Sequence, residues 1–126
     1  MKVCVLGSGS AGNATLVYSG DAALLVDAGF SAKELERRLG LINFNPEDID
    51  AILISHEHGD HIKGASVFAR RYNTSVYLTH GTAENSNGLA KGRGVNKILI
   101  VPEETFRVGD LVELADLLIQ FNGESP

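Results

Sequence analysis

Tryptophan is absent from this 126-residue chain, and cysteine and methionine occur once each. A single cysteine excludes an intramolecular disulfide, so Cys4 reads as a small apolar residue of the first strand. The lack of a disulfide framework points to a cytoplasmic location. No apolar run approaches the roughly 20 residues that a membrane helix needs, and Met1 to Leu6 is too short for a signal peptide, so no membrane partner is expected. Positive charge is also sparse. Eleven Lys and Arg against sixteen Asp and Glu leave a net charge of −5, which argues against a broad nucleic-acid footprint. Arg37, Arg38, Lys63, Arg70, Arg71, Lys91 and Arg93 leave room for a local basic patch, but they read equally well as scattered solvated cations. What remains, 44% hydrophobic and 21% charged residues, is the composition of one globular domain.

Histidine is scarce as well, four in the whole chain, yet three of the four fall in Ile54-Ser55-His56-Glu57-His58-Gly59-Asp60-His61. The apolar run Ala51 to Ser55 before them reads as a short buried strand, and the residues from Ile62 onward read as a helix. The histidines therefore belong to a loop at a strand end. Imidazole nitrogen and carboxylate oxygen are preferred ligands of a zinc-like ion. The i, i+2 spacing of His56 and His58 suits one ion on an extended backbone, whereas adjacent Asp60 and His61 point differently and suit a second. A helical H-E-x-x-H site is excluded, because Asp60 stands where that motif needs its second histidine and Gly59 interrupts it. The plainer alternatives are solvated histidines and an Asp60 that merely caps the following helix.

The pattern Ser55-His56-x-His58-x-Asp60-His61 resembles the H-x-H-x-D-H signature of the metallo-β-lactamase-fold hydrolases. The wider wording, Leu6-Gly7-Ser8-Gly9-Ser10-Ala11-Gly12-Asn13, Leu25-Val26-Asp27-Ala28-Gly29 and His56 through Gly64, is similar to the WalJ/YycJ-like exonuclease-type branch, from residue 1 to about residue 110. The resemblance implies an α/β fold, the N-terminal half of an αββα domain with a mixed sheet and flanking helices. It also implies a metal-dependent hydrolase cleaving nucleic-acid phosphodiesters through two divalent ions, zinc ahead of manganese. His56, His58, Asp60 and His61 would hold the ions, and Asp60 would also orient the attacking hydroxide. Asp27 would brace the backbone of the histidine loop, with capping of the next turn as the competing explanation. Ser8, Ser10 and Asn13 offer hydrogen bonds to substrate, unless the glycine-rich loop is only a tight turn.

Gly7 to Gly12 is also a literal G-x-G-x-x-G, with Asp27 about where a ribose-binding acid would lie. A dinucleotide site requires the last glycine to open a helix. Here Ala14 to Tyr18 is rich in β-branched residues, ends in the turn Ser19-Gly20-Asp21 and runs straight into the apolar strand Ala22 to Val26. The pattern predicts a hairpin and disfavours that module. Further along, Ser31 and Glu34 form a capping box for a helix over Ser31 to Leu39 that Gly40 would end. Asn45 and Pro46 open a short turn. Ile62, Ala65, Phe68, Ala69 and Tyr72 recur at helical spacing as a stripe facing the core. Ser75 to Thr79 and Lys97 to Val101 read as strands, and Thr82 to Leu89 as a helix.

The chain departs from the resembling family after Asp110. Residues 111–126 contain no histidine, and neither Asp110 nor Asp116 carries the context of a bridging ligand; His80 matches no motif position and reads as a loop residue or one standing behind the metal ligands. The expectation is one domain over 1–126 with the later ligands missing. Two protein ligands per ion, where catalytic zinc normally has three, make weak metal binding the consequence. A second reading follows, a non-catalytic, metal-binding half-domain that self-associates as a homo-oligomer through an uncovered apolar sheet face.

Overall fold

In the computed structural model, residues 2–20, 22–55, 58–79 and 94–100 are described. Six strands form one sheet in sequence order: β1 (Lys2–Gly7), β2 (Ala14–Ser19), β3 (Ala22–Val26), β4 (Ala51–Leu53), β5 (Ser75–Thr79) and β6 (Lys97–Ile100). The pairs β1·β2 and β2·β3 are antiparallel, and the pairs from β3 to β6 are parallel. Thus the glycine-rich segment joins two antiparallel strands and opens no helix. That removes the crossover a dinucleotide site needs.

Helix α1 (Ala32–Leu41) follows β3, and a short 3-10 turn (Pro46–Asp48) leads into β4. After β4 come α2 (Gly59–Ile62) and α3 (Ala65–Tyr72). This mixed sheet with helices is the expected α/β class. The sheet's inward residues are set by its register. Leu16, Leu25, Ile52 and Val76 stand in one row across four strands and pack with Leu35, Leu39, Ala65, Phe68 and Ala69 of the helices in one core. Ile62 and Tyr72 complete the stripe at its margin. The opposite row, Val26, Leu53 and Tyr77, belongs to the other sheet face, where Val3 and Val5 of β1 are each 61% exposed. Among the described residues, no helix is long and apolar enough to cross a membrane.

Three local features differ from the sequence reading. Ser31 caps α1 by accepting from Glu34 N, but the Glu34 carboxylate does not close the box. It accepts instead from Arg37 and Arg38, and these two guanidinium partners hold its carboxyl at about 2, well below the ordinary carboxylate value. Their contribution is therefore present above the ordinary glutamate value and lost only as pH falls through about 2. Gly40 does not end the helix, which runs on to Leu41; Asn43, at φ +57°, takes the left-handed turn. Finally, the helix after the histidine loop is two helices; at the break Gly64 N donates to Ala28 O at 2.8 Å, and a Cβ there would lie 2.1 Å from the Phe30 carbonyl oxygen.

Helices α1 and α3 are tied by Glu36, which accepts from Tyr72 Oη and from Arg71 Nη1 at 2.6 Å. Burial, then the Glu36 carboxylate, raises the Tyr72 phenol above its ordinary value. At the start of β5, Thr74 is 3% exposed and its hydroxyl has no hydrogen-bond partner. An unsatisfied buried hydroxyl costs about 1–3 kcal/mol. Thr74→Val, which keeps the shape, is expected to raise the unfolding free energy by about 1 kcal/mol in urea denaturation. A loss of that size would show that the hydroxyl is bonded in solution.

Candidate functional site

The site lies where the C-terminal ends of β3 and β4 meet the first turn of α2 and the end of the glycine-rich loop. β3 is buried along its whole length and stops at Asp27, which adopts φ +65°. That conformation is uncommon outside glycine and best tolerated by Asn and Asp. It leaves the carboxylate beneath the β4 end although Asp27 itself is only 2% exposed. Oδ1 accepts from Ser55 N at 2.8 Å, and Oδ2 accepts from Ser55 Oγ at 2.6 Å. Oδ2 also lies 2.7 Å from His61 Nδ1. A buried carboxylate is costly without partners, and here Ser55 and His61 supply them. The carboxylate braces the start of the histidine loop and does not cap the following turn.

The same contact orients His61. With Nδ1–H donated to Asp27, the neutral ring carries its lone pair on Nε2. Asp60 Oδ2 lies 3.7 Å from that Nε2. Two atoms bound to one zinc-like ion at tetrahedral angles are separated by roughly 3.4 Å, so this pair fits a shared ion. Asp60 sits inside α2, not at its N-cap, which is His58. His58 is exposed, with an extended backbone at φ −72°, ψ 150°. His56 and Glu57, like His80, residues 82–89 and residues 101–126, fall outside the described residues, and with them the pairing of His56 with His58. Among the described residues, no group of three or more His, Cys, Asp and Glu side chains is placed to hold one ion.

The glycine-rich loop reaches this pair through Asn13. Asn13 N donates to Asp60 O at 2.7 Å, and its Nδ2 donates to Asp60 O and Oδ2, each at 3.1 Å. Gly29 N in turn donates to Asn13 O at 2.9 Å, and Ala28 N to His61 O at 2.7 Å. Gly29 is where these segments touch, since a Cβ there would lie 1.7 Å from Asp60 O. Ser8 and Ser10 are exposed. Ser8 and Asn13 line, with Val3, Val5, Asp27 and His61, a cleft of about 330 Å³; Ser10 is not among its lining residues. Sequence reasoning singled out Asp27, Asp60 and His61 but passed over Ser55 and Gly29. The glycine two residues past a buried acid was the one signal of close approach.

The chain belongs to the metallo-beta-lactamase superfamily, which residues 7–124 match. Within it the chain is 42% identical over 113 residues to exodeoxyribonuclease WalJ of Streptococcus pneumoniae, covering 87% of this chain and 42% of that protein. It is 37% identical over 121 residues to exodeoxyribonuclease YycJ of Bacillus anthracis, covering 96% of this chain and 44% of that protein. The chain thus spans less than half the length of these curated relatives. Among solved structures, Rm3 metallo-beta-lactamase aligns with a TM-score of 0.72 at 26% identity, over 87% of this chain and 46% of that one. The fold is accordingly part of a metallo-beta-lactamase-type domain, and the resemblance read from the histidine and glycine motifs holds.

Proposed function

We propose that this chain carries the metal-binding loop of a hydrolase that cleaves nucleic-acid phosphodiesters as an exonuclease. The observation that carries the reading is the Asp27–His61 contact of 2.7 Å, which holds His61 with its Nε2 3.7 Å from Asp60 Oδ2. The relatives named exodeoxyribonuclease support nucleic acid as the substrate class. His56 and His58 would hold one divalent ion and Asp60 with His61 a second, zinc ahead of manganese. When bound, such ions lower the pKa of a water toward neutrality and offset charge developing at phosphorus.

The remaining work falls to the chain's own groups. Asp27 keeps the proton on His61 Nδ1 and fixes the ring. Asp60 orients the attacking water, while Ser8, Ser10 and Asn13 meet the substrate along the glycine-rich loop. A cytoplasmic location suits this reading.

The second reading, a metal-binding but non-catalytic half-domain that self-associates, is favoured by a specific observation. Val3 and Val5 expose an apolar stretch on β1, an edge strand among the described residues. End-labelled linear DNA incubated with the chain and Zn²⁺ or Mn²⁺ separates the two. Release of mononucleotides that drops at least about a hundredfold in His61→Ala and in Asp60→Asn supports the exonuclease. Metal uptake without release, in a chain that sediments as a dimer, supports the half-domain.

A further inference from the structure

We infer that Asn13 is a positioning residue for Asp60, so that the glycine-rich loop and the metal-binding turn act as one unit. The inference rests on the reading of Asp60 as a metal ligand and assigns Asn13 a task in addition to substrate contact. The Asn13 amide is oriented by Gly9: Oδ1 accepts from Gly9 N at 3.1 Å, and Nδ2 donates to Gly9 O at 2.8 Å. Flipping the amide would place like against like at both atoms, so the orientation is set by the main chain and not by choice of assignment. With Oδ1 so engaged, Nδ2 has a second hydrogen to give, and it faces Asp60 O and Asp60 Oδ2, each at 3.1 Å.

The consequence concerns which carboxylate oxygen is held. Oδ2 is the oxygen 3.7 Å from His61 Nε2, so the Asn13 donor fixes the atom that would share an ion with His61. Asn13 Nδ2 itself lies 3.5 Å from that Nε2, but an amide NH2 has no lone pair for a metal. Asn13 can therefore steer the ligand pair without joining it. The Asn13 amide thus ties Gly9 of the glycine-rich loop to the Asp60 carboxylate. Groups standing behind metal ligands in this way typically change metal affinity 10- to 100-fold when removed.

The test uses the whole chain with Co²⁺ as the probe, comparing wild type with Asn13→Ala and with Asn45→Ala, a cap remote from the site. Asn13→Ala is expected to stay folded, to bind Co²⁺ at least about tenfold more weakly, and to change the visible d–d band. Asn45→Ala is expected to leave both unchanged. A merely structural part for Asn13, holding its own loop, would leave the Co²⁺ band as in wild type, and that result overturns the inference. If Asn13→Ala does not fold, Asn13→Ser, which retains the main-chain bond to Asp60, is read by the same two criteria. If wild type takes up no Co²⁺, the metal reading fails. The inference, which rests on Asp60 as a ligand, falls with it, whereas Co²⁺ uptake equal in wild type and Asn13→Ala overturns the inference alone.

Discussion

Asp27→Ala is expected to lower the unfolding free energy by about 3 kcal/mol and Asp27→Asn by about 1 kcal/mol, yet both to weaken zinc binding at least tenfold. The difference follows from what each atom of the carboxylate does. In the alanine variant the bond from the buried Ser55 amide to Oδ1 is lost, and the Oδ2 contacts to Ser55 Oγ and His61 Nδ1 go with it. Alanine is also less at ease than Asp at φ +65°. Asparagine keeps the shape, tolerates the conformation and retains the acceptor for Ser55 N. Its NH2, however, would face His61 Nδ1. His61 could then accept there only by moving its proton to Nε2, the atom that faces Asp60 Oδ2. Stability is nearly kept while the lone pair proposed to bind metal is lost. Urea denaturation together with the histidine tautomer from ¹⁵N NMR checks both halves. An Asp27→Asn protein that binds zinc as wild type would refute the account of His61.

Gly29→Ala is the second large effect. An added Cβ would lie 1.7 Å from the Asp60 carbonyl oxygen, 2.4 Å from its carbonyl carbon and 2.7 Å from Asn13 N. All three are backbone atoms, so no side chain can swing aside, and the α2 turn has to retreat by more than an ångström. That retreat breaks the bond from Asn13 N to Asp60 O and strains the one from Gly29 N to Asn13 O. Overpacking against backbone is expected to cost about 3 kcal/mol or more. Gly40→Ala is the matching control, because nothing lies within 4 Å of its added Cβ in α1. There alanine should stabilise by about 0.5–1 kcal/mol through helix propensity and the entropy of the unfolded chain. Equal effects of the two substitutions, read as thermal midpoints, would contradict the close packing at Gly29.

The strands and first helix were legible because each carries its own period and its own stop. Ala14 to Tyr18 and Ala22 to Val26 are β-branched and aliphatic runs bounded by turn residues, and Ser31 announces α1 by a local hydrogen bond. The hairpin likewise followed from the lack of room for a helix after Gly12. Where the reading slipped, a distant contact decided. At Gly64 the helix breaks where the main-chain N–H turns to Ala28 O, and Glu34 prefers two arginines to its own cap. The histidine loop stood out by composition alone. The partnership of Asp27 with Ser55 and His61 did not, because it joins residues 28 and 34 positions apart. A local pattern can mark which atoms are chemically able, but only the sheet brings them to one point.

On the function proposed above, Asp27, Asp60 and His61 belong to a preorganised metal centre. This is tested most directly by titrating the tag-free chain with Zn²⁺ against a chromophoric chelator, for wild type and His61→Ala. Wild type is expected to show a saturable site whose affinity falls at least about a hundredfold in the variant, with the fold retained. Zinc uptake that is the same in both proteins, or absent from wild type, would contradict it.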